Sequence, residues 1–182
     1  MAQPFNPFQA LVADLNRGAL VVDSSSRALV PTAALLELCE AAGDEGMRNF
    51  GRAIGTEAGR RVASRLRTVD TASIDSVVEH LGGELALMGL GNLALERWGR
   101  ALVLRLTGSP FTAAGDALIA AVLEGAIQRG LGRDVSVLPV GSQGPHARFA
   151  VLSAATADKV SSTLKSGTSW ADALAALQGG QA

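Results

Sequence analysis

The chain reads as an α+β protein: antiparallel strand pairs form a sheet, and helices pack against it. Two observations carry this reading. Strand-like runs come as neighbours joined by short polar turns, at 18–30, 92–107 and 135–152, and not singly between helices as βαβ units require. Helical periodicity fills the stretches between them, most plainly over 45–66 and 114–131. The length of 182 residues fits a single domain. Its core is expected at about 27–153, with an N-terminal helix and strand over 1–26 and C-terminal helices over 154–178.

Each element has a local cause. Phe8, Leu11, Val12 and Leu15 recur at helical spacing behind Pro4 and Pro7, which predicts a short helix. The runs Gly18–Asp23 and Arg27–Val30, with serines 24–26 between them, predict a hairpin. Pro31 and Thr32 open a helix carrying Leu35, Leu36, Leu38 and Cys39, with Thr32 as its cap and Gly43 as its end or break. A longer helix follows over Glu45–Leu66. Ser73 caps the next, which carries Ile74, Val77, Val78 and Leu81 and ends near Gly82–Gly83 or Gly89. Asn92–Trp98 and Ala101–Thr107 form a hairpin across Gly99–Arg100. The helix 114–131 stops at Gly130 and Gly132. Val135–Val140 and Arg148–Leu152 form the last strand pair, turning over 141–146. Two short helices close the chain, capped by Thr156 and Thr168, with Trp170, Leu174 and Leu177 apolar and Gly179–Gly180 at the end.

Composition excludes several functions. Apolar residues are 48% and charged residues 18%, so the chain is not disordered and has apolar surface to bury. A net charge of −1 leaves no polycationic face for nucleic acid. One cysteine permits neither a disulfide framework nor a cysteine-cluster metal site. No run resembles a membrane span, and residues 1–6 do not resemble a secretory signal, so a cytoplasmic protein is expected.

Catalytic groups are scarce. His80 and His146 share no spacing with each other or with Cys39, which reads as a buried, inert thiol on an apolar helix face. No flavin, nicotinamide or phosphate-loop pattern occurs, so no cofactor is expected. The most informative pattern is Gly51, Gly55 and Gly59. Their spacing puts all three on one side of a helix. Each costs about 1 kcal/mol relative to alanine there, so something must come close. A packed helix, a partner copy or a ligand chain would account for it. Arg48, Arg52, Arg60 and Arg61 around the stripe exclude a membrane helix. The candidate groove or packing residues are Phe50, Gly51, Ile54, Gly55, Ala58, Gly59, Leu118, Val122 and Gly125. Arg60, Arg61, Arg65 and Arg67 read as a solvated helix end or as a docking face for an anionic partner.

The segment Gly51–Leu66 resembles the central helix of the 4-vinyl reductase domain family and its relatives, the core subunits of the TRAPP tethering complex. Ile119–Ile127 resembles the second signature of that superfamily, with Ala121 where glycine is frequent and Gly125 keeping the second glycine. The strands around Val103, Val137 and Phe149 follow in the same order, so the resemblance covers about 27–153. It implies a TRAPP-subunit-like α+β fold, dimerisation through helices, and binding of hydrophobic small molecules, acyl chains or protein partners. Family members fused to bacterial activators carry a structural zinc. Here Asp116, Gly141 and Ala147 stand where cysteines would be needed, so no metal is expected. Some TRAPP subunits carry an acyl chain on a cysteine. The matching stretch, Val69–Ser73, has none, and Cys39 does not match.

The expected function is therefore a non-catalytic, homodimeric domain that binds a hydrophobic small molecule or acyl chain in a sensory or regulatory role. The alternative is a scaffold or adaptor of a cytoplasmic complex, with a protein partner filling the apolar surface. An enzyme of tetrapyrrole or aromatic metabolism is the third reading.

Overall fold

The computed structural model describes residues 11–22, 25–66, 73–98, 101–143, 146–170 and 172–173. Several expected features lie outside these residues: Pro4, Pro7 and Phe8, Ser24 of the serine turn, Arg67, the Gly99–Arg100 turn, Leu174, Leu177 and Gly179–Gly180.

The architecture is α+β with antiparallel sheets, as expected. A small sheet of β1 (Leu11–Asp14), β2 (Ala19–Val22) and β3 (Ser25–Arg27) precedes helix α1 (Thr32–Leu66). Helix α2 (Ile74–Leu87) leads into β4 (Asn92–Trp98) and β5 (Ala101–Thr107). A 3-10 turn (Ala113–Gly115) introduces helix α3 (Asp116–Leu131). Strands β6 (Ser136–Gln143) and β7 (His146–Leu152) complete the main sheet, and α4 (Ala154–Lys165) follows. The main sheet has the order β4-β5-β7-β6. The pairings Leu95↔Leu104, Leu104↔Phe149 and Val137↔Val151 set its register.

Several local expectations change. Residues 11–14 form a strand and not a helix. Gly18, at φ 59, completes a turn in which its N–H donates to the Leu15 carbonyl, so the chain doubles back and Leu11 pairs with Val22. The helices on either side of Gly43 are continuous except at that residue, whose φ of 73 and ψ of 175 make a kink. Thr32 is the first residue inside α1. Ser73 caps α2 as expected, accepting from the Ser76 N–H. Ser153, not Thr156, caps α4, and Ser169, not Thr168, accepts from the Asp172 N–H.

Alternation along the strands divides the main sheet into two faces. Leu104, Leu106, Val137 and Phe149 face the helices and join Ala58, Val62, Leu81, Leu85, Ile119 and Leu123 in the main core. On the other face, Val140, Ala150 and Leu152 meet Ala157 and Val160 of α4, with Trp98 and Trp170 against them. This face also carries a polar cluster. Glu96 accepts from Arg148 Nε at 3.0 Å and from Trp98 Nε1 at 3.1 Å. Arg105 Nε lies 3.3 Å from the same carboxylate.

Candidate functional site

The glycine stripe is where α1 meets α3. A Cβ on Gly55 would overlap the Val122 carbonyl oxygen, and one on Gly59 would overlap that of Ala126. A Cβ on Gly51 would come within 2.7 Å of the Ala121 Cβ. The approach is reciprocal, because a Cβ on Gly125 would lie 2.5 Å from the Arg52 carbonyl. Backbone contact at this distance needs glycine on both helices. Ala58 and Val122 are buried at this crossing, Leu118 packs with Cys39 and Met47, Ile54 is half-buried, and Phe50 points outward at 41% exposure. Arg52 Nε donates to Glu124 at 2.8 Å and Glu124 accepts from the Val137 N–H at 3.2 Å, which joins α1, α3 and β6.

The arginine cluster is not simply a solvated helix end. Glu84 of α2 is fully buried and accepts from Arg61 Nε at 2.6 Å and from Arg65. Arg61 also donates to Glu57 at 2.7 Å, and Glu57 receives Arg27 of β3 at 2.5 Å. The chain Arg27–Glu57–Arg61–Glu84–Arg65 thus fastens the small sheet and α2 to α1. The Arg27 hydrogen bond, assisted by the charges of Arg27 and Arg61, holds the Glu57 carboxyl below its ordinary 4.5. Arg60 remains exposed.

A cavity lies elsewhere, between α2, the end of α3 and the sheet. Its volume is about 740 Å³. Ile74, Val77, Val78 and Leu81 of α2 form one wall, and Leu95, Leu102, Leu104 and Val151 of the sheet form another. Ile127, Leu131 and Val135 close its side. Arg133, Asp134 and Ser153 are the exposed members of the lining. They share one end of the sheet, because Ser136, just after Asp134, pairs with Leu152, just before Ser153. None of the nine residues singled out from the sequence lines this cavity. Its own residues carried a weak signal, since every α2 member was legible only as an apolar helix face.

Among the described residues that line the cavity, Asp134, Arg133 and Ser153 are the polar ones, and neither Cys39 nor a histidine is among them. Cys39 is buried, and burial pushes its thiol up. His80 is buried, with Nδ1 donating to the Ser76 carbonyl at 2.8 Å. Among the described residues, no three His, Cys, Asp or Glu side chains gather as a metal would need. Also among these residues, no helix is long and apolar enough to cross a membrane.

No protein-family model matches the sequence, and no curated protein matches it. The fold does match solved structures. One is the phenol-responsive sensory domain of the transcription activator PoxR, crystallised with phenol. The two chains are 14% identical and superpose with a TM-score of 0.57, over 80% of this chain and 86% of that one. At this identity the likeness establishes a shared α+β architecture, the one described above.

Proposed function

We propose that the chain is a non-catalytic sensory domain that takes an apolar small molecule into the cavity between α2, α3 and the sheet. The observation that carries this is the cavity itself. It is lined by aliphatic side chains and has a volume of about 740 Å³, within the roughly 300–1,000 Å³ usual for small-molecule sites. The fold shared with the phenol-responsive domain supports a sensory role. The resemblance to 4-vinyl reductase domains, carried by Gly51–Leu66 and Ile119–Ile127, supports binding over catalysis. We further propose that the protein is cytoplasmic, acts as a homodimer and uses no metal.

Native mass spectrometry of protein purified without detergent, repeated under denaturing conditions, tests this. A dimer carrying extra mass that is lost on denaturation is the expected result. A partner-free monomer that neither carries nor acquires an apolar ligand would overturn it.

A second reading is an adaptor. Leu15, Leu29, Val30 and Leu38 are more than half exposed, which offers apolar surface to a protein partner. Recovery of a stoichiometric partner from the native host, with the cavity unresponsive to ligands, would favour it.

A further inference from the structure

The proposed binding role leaves the ligand class open, and the lining narrows it. Apart from Arg133, Asp134 and Ser153, the twelve members of the lining are Ile, Val or Leu, from Ile74 on α2 to Leu152 on β7. Among the described residues, no aromatic side chain lines the cavity, so a ring would find no edge-to-face or stacked partner there. Ser153 is the only hydroxyl among the described residues of the lining, and it is exposed at the end where Arg133 and Asp134 stand. Its oxygen already accepts from the Thr156 N–H as the cap of α4. A hydroxyl carried to the inner end would thus be buried without a side-chain partner, which is costly. Size points the same way. A cavity of roughly 150 Å³ holds a benzene ring, and the volume here is about 740 Å³, close to five times larger. A single ring would leave most of the wall untouched, while a flexible hydrocarbon chain can follow it.

We propose that the ligand is a linear aliphatic molecule with one polar end, bound chain-inward with that end beside Arg133, Asp134 and Ser153. Charge alone does not select the sign of the polar group, because Arg133 and Asp134 oppose each other. The hydrocarbon chain is the recognised element. This inference rests on the cavity being the binding site, and it concerns a ligand chemically unlike phenol.

Calorimetric titration of the full chain with 1-hexanol, 1-octanol and 1-decanol, against phenol and 4-methylphenol, tests it. Affinity is expected to rise about fourfold per added CH2 through the alkanol series, with decanol bound at least tenfold more tightly than either phenol. Val151→Phe, and separately Leu102→Phe, should weaken decanol binding at least tenfold while circular dichroism and thermal unfolding show a folded protein. If the phenols bind as tightly as decanol and Val151→Phe or Leu102→Phe weakens them, the cavity remains the site and the aliphatic assignment falls. An alkanol affinity that does not grow with chain length also overturns the assignment. If no probe binds, or binding ignores both cavity substitutions, the choice of cavity falls as well.

Discussion

Arg61 of α1 donates through Nε to a carboxylate oxygen of Glu84 on α2 at 2.6 Å, joining two helices through residues 23 positions apart in the sequence. The acceptor is fully buried and the arginine side chain is 11% exposed, so water replaces neither partner easily. Arg65 shares the same carboxylate. Removing one partner of such a cluster strands the other charges, at a cost of about 3–5 kcal/mol. Glu84→Ala is expected to destabilise by that order. Replacing Arg61, Arg65 and Glu84 together by apolar residues of similar volume is expected to lose far less. Urea unfolding of the parent, the single variant and the triple variant measures both. Equal losses in the single and triple variants would show that packing, and not charge pairing, holds the helices.

Gly55→Ala should destabilise although alanine is the better helix former by about 1 kcal/mol. The new methyl would meet the Val122 carbonyl, which is backbone and cannot rotate away. Forced separation of α1 and α3 costs about 1–3 kcal/mol in a well-packed core. Gly43→Ala offers a contrast, because nothing lies within 4 Å of its Cβ position and only the φ of 73 opposes it. Chemical denaturation with a matched slope separates the two, and a neutral Gly55→Ala would refute the close crossing.

Stability should fall with acid partly through Glu57. Its carboxyl titrates below the ordinary 4.5 in the folded protein, chiefly because of Arg27. The unfolded chain therefore binds the proton first, so the contribution is present above about pH 4.5 and disappears as pH falls through the folded value. The side chain is 33% exposed, so solvent screening keeps the contribution small. Glu57→Gln should show a shallower loss of stability below pH 5 than the parent protein. Parallel pH profiles of urea midpoints check it, and superimposable slopes would remove Glu57 from the acid response.

Ser153→Ala should cost about 1 kcal/mol, since its oxygen accepts from the Thr156 N–H at the start of α4. Thr156→Ala should cost less, because Thr156 stands inside the first turn and its hydroxyl only shares a contact with Ser153 Oγ at 2.8 Å. Thermal melts of the two variants rank them.

Much of the frame was legible in the residues, for physical reasons. Asn92–Trp98 and Ala101–Thr107 pair as expected because Leu102, Leu104 and Leu106 alternate onto one face, where Leu104 and Leu106 are buried in the core. Leu11–Asp14 was misread because its apolar residues also fit a helical stripe, and the pairing with β2 decides the matter. The stripe of Gly51, Gly55 and Gly59 signalled a close approach, but the identity of the approaching surface, α3, is a tertiary fact. Arg61 and Arg65 looked solvated because their acceptor, Glu84, stood in the sequence as one polar residue between Gly83 and Leu85. The cavity was the least legible feature. Its walls come from α2, α3, three strands and the turn before β6, and no one of these segments differs in composition from an ordinary core element.

The kink at Gly43 has a consequence for how the longest helix opens and closes. Before it, Cys39 is the one buried residue of α1, whereas after it Met47, Gly51, Gly55, Ala58, Gly59 and Val62 are buried in turn. Backbone amides on the two sides of the kink should therefore exchange with deuterium on separate clocks. Those of 33–42 would be released by a local opening that leaves the sheet intact, and those of 51–62 only when the α1–α3 crossing itself comes apart. One continuous helix on the page would then behave in solution as two cooperative units, with its boundary at a single glycine.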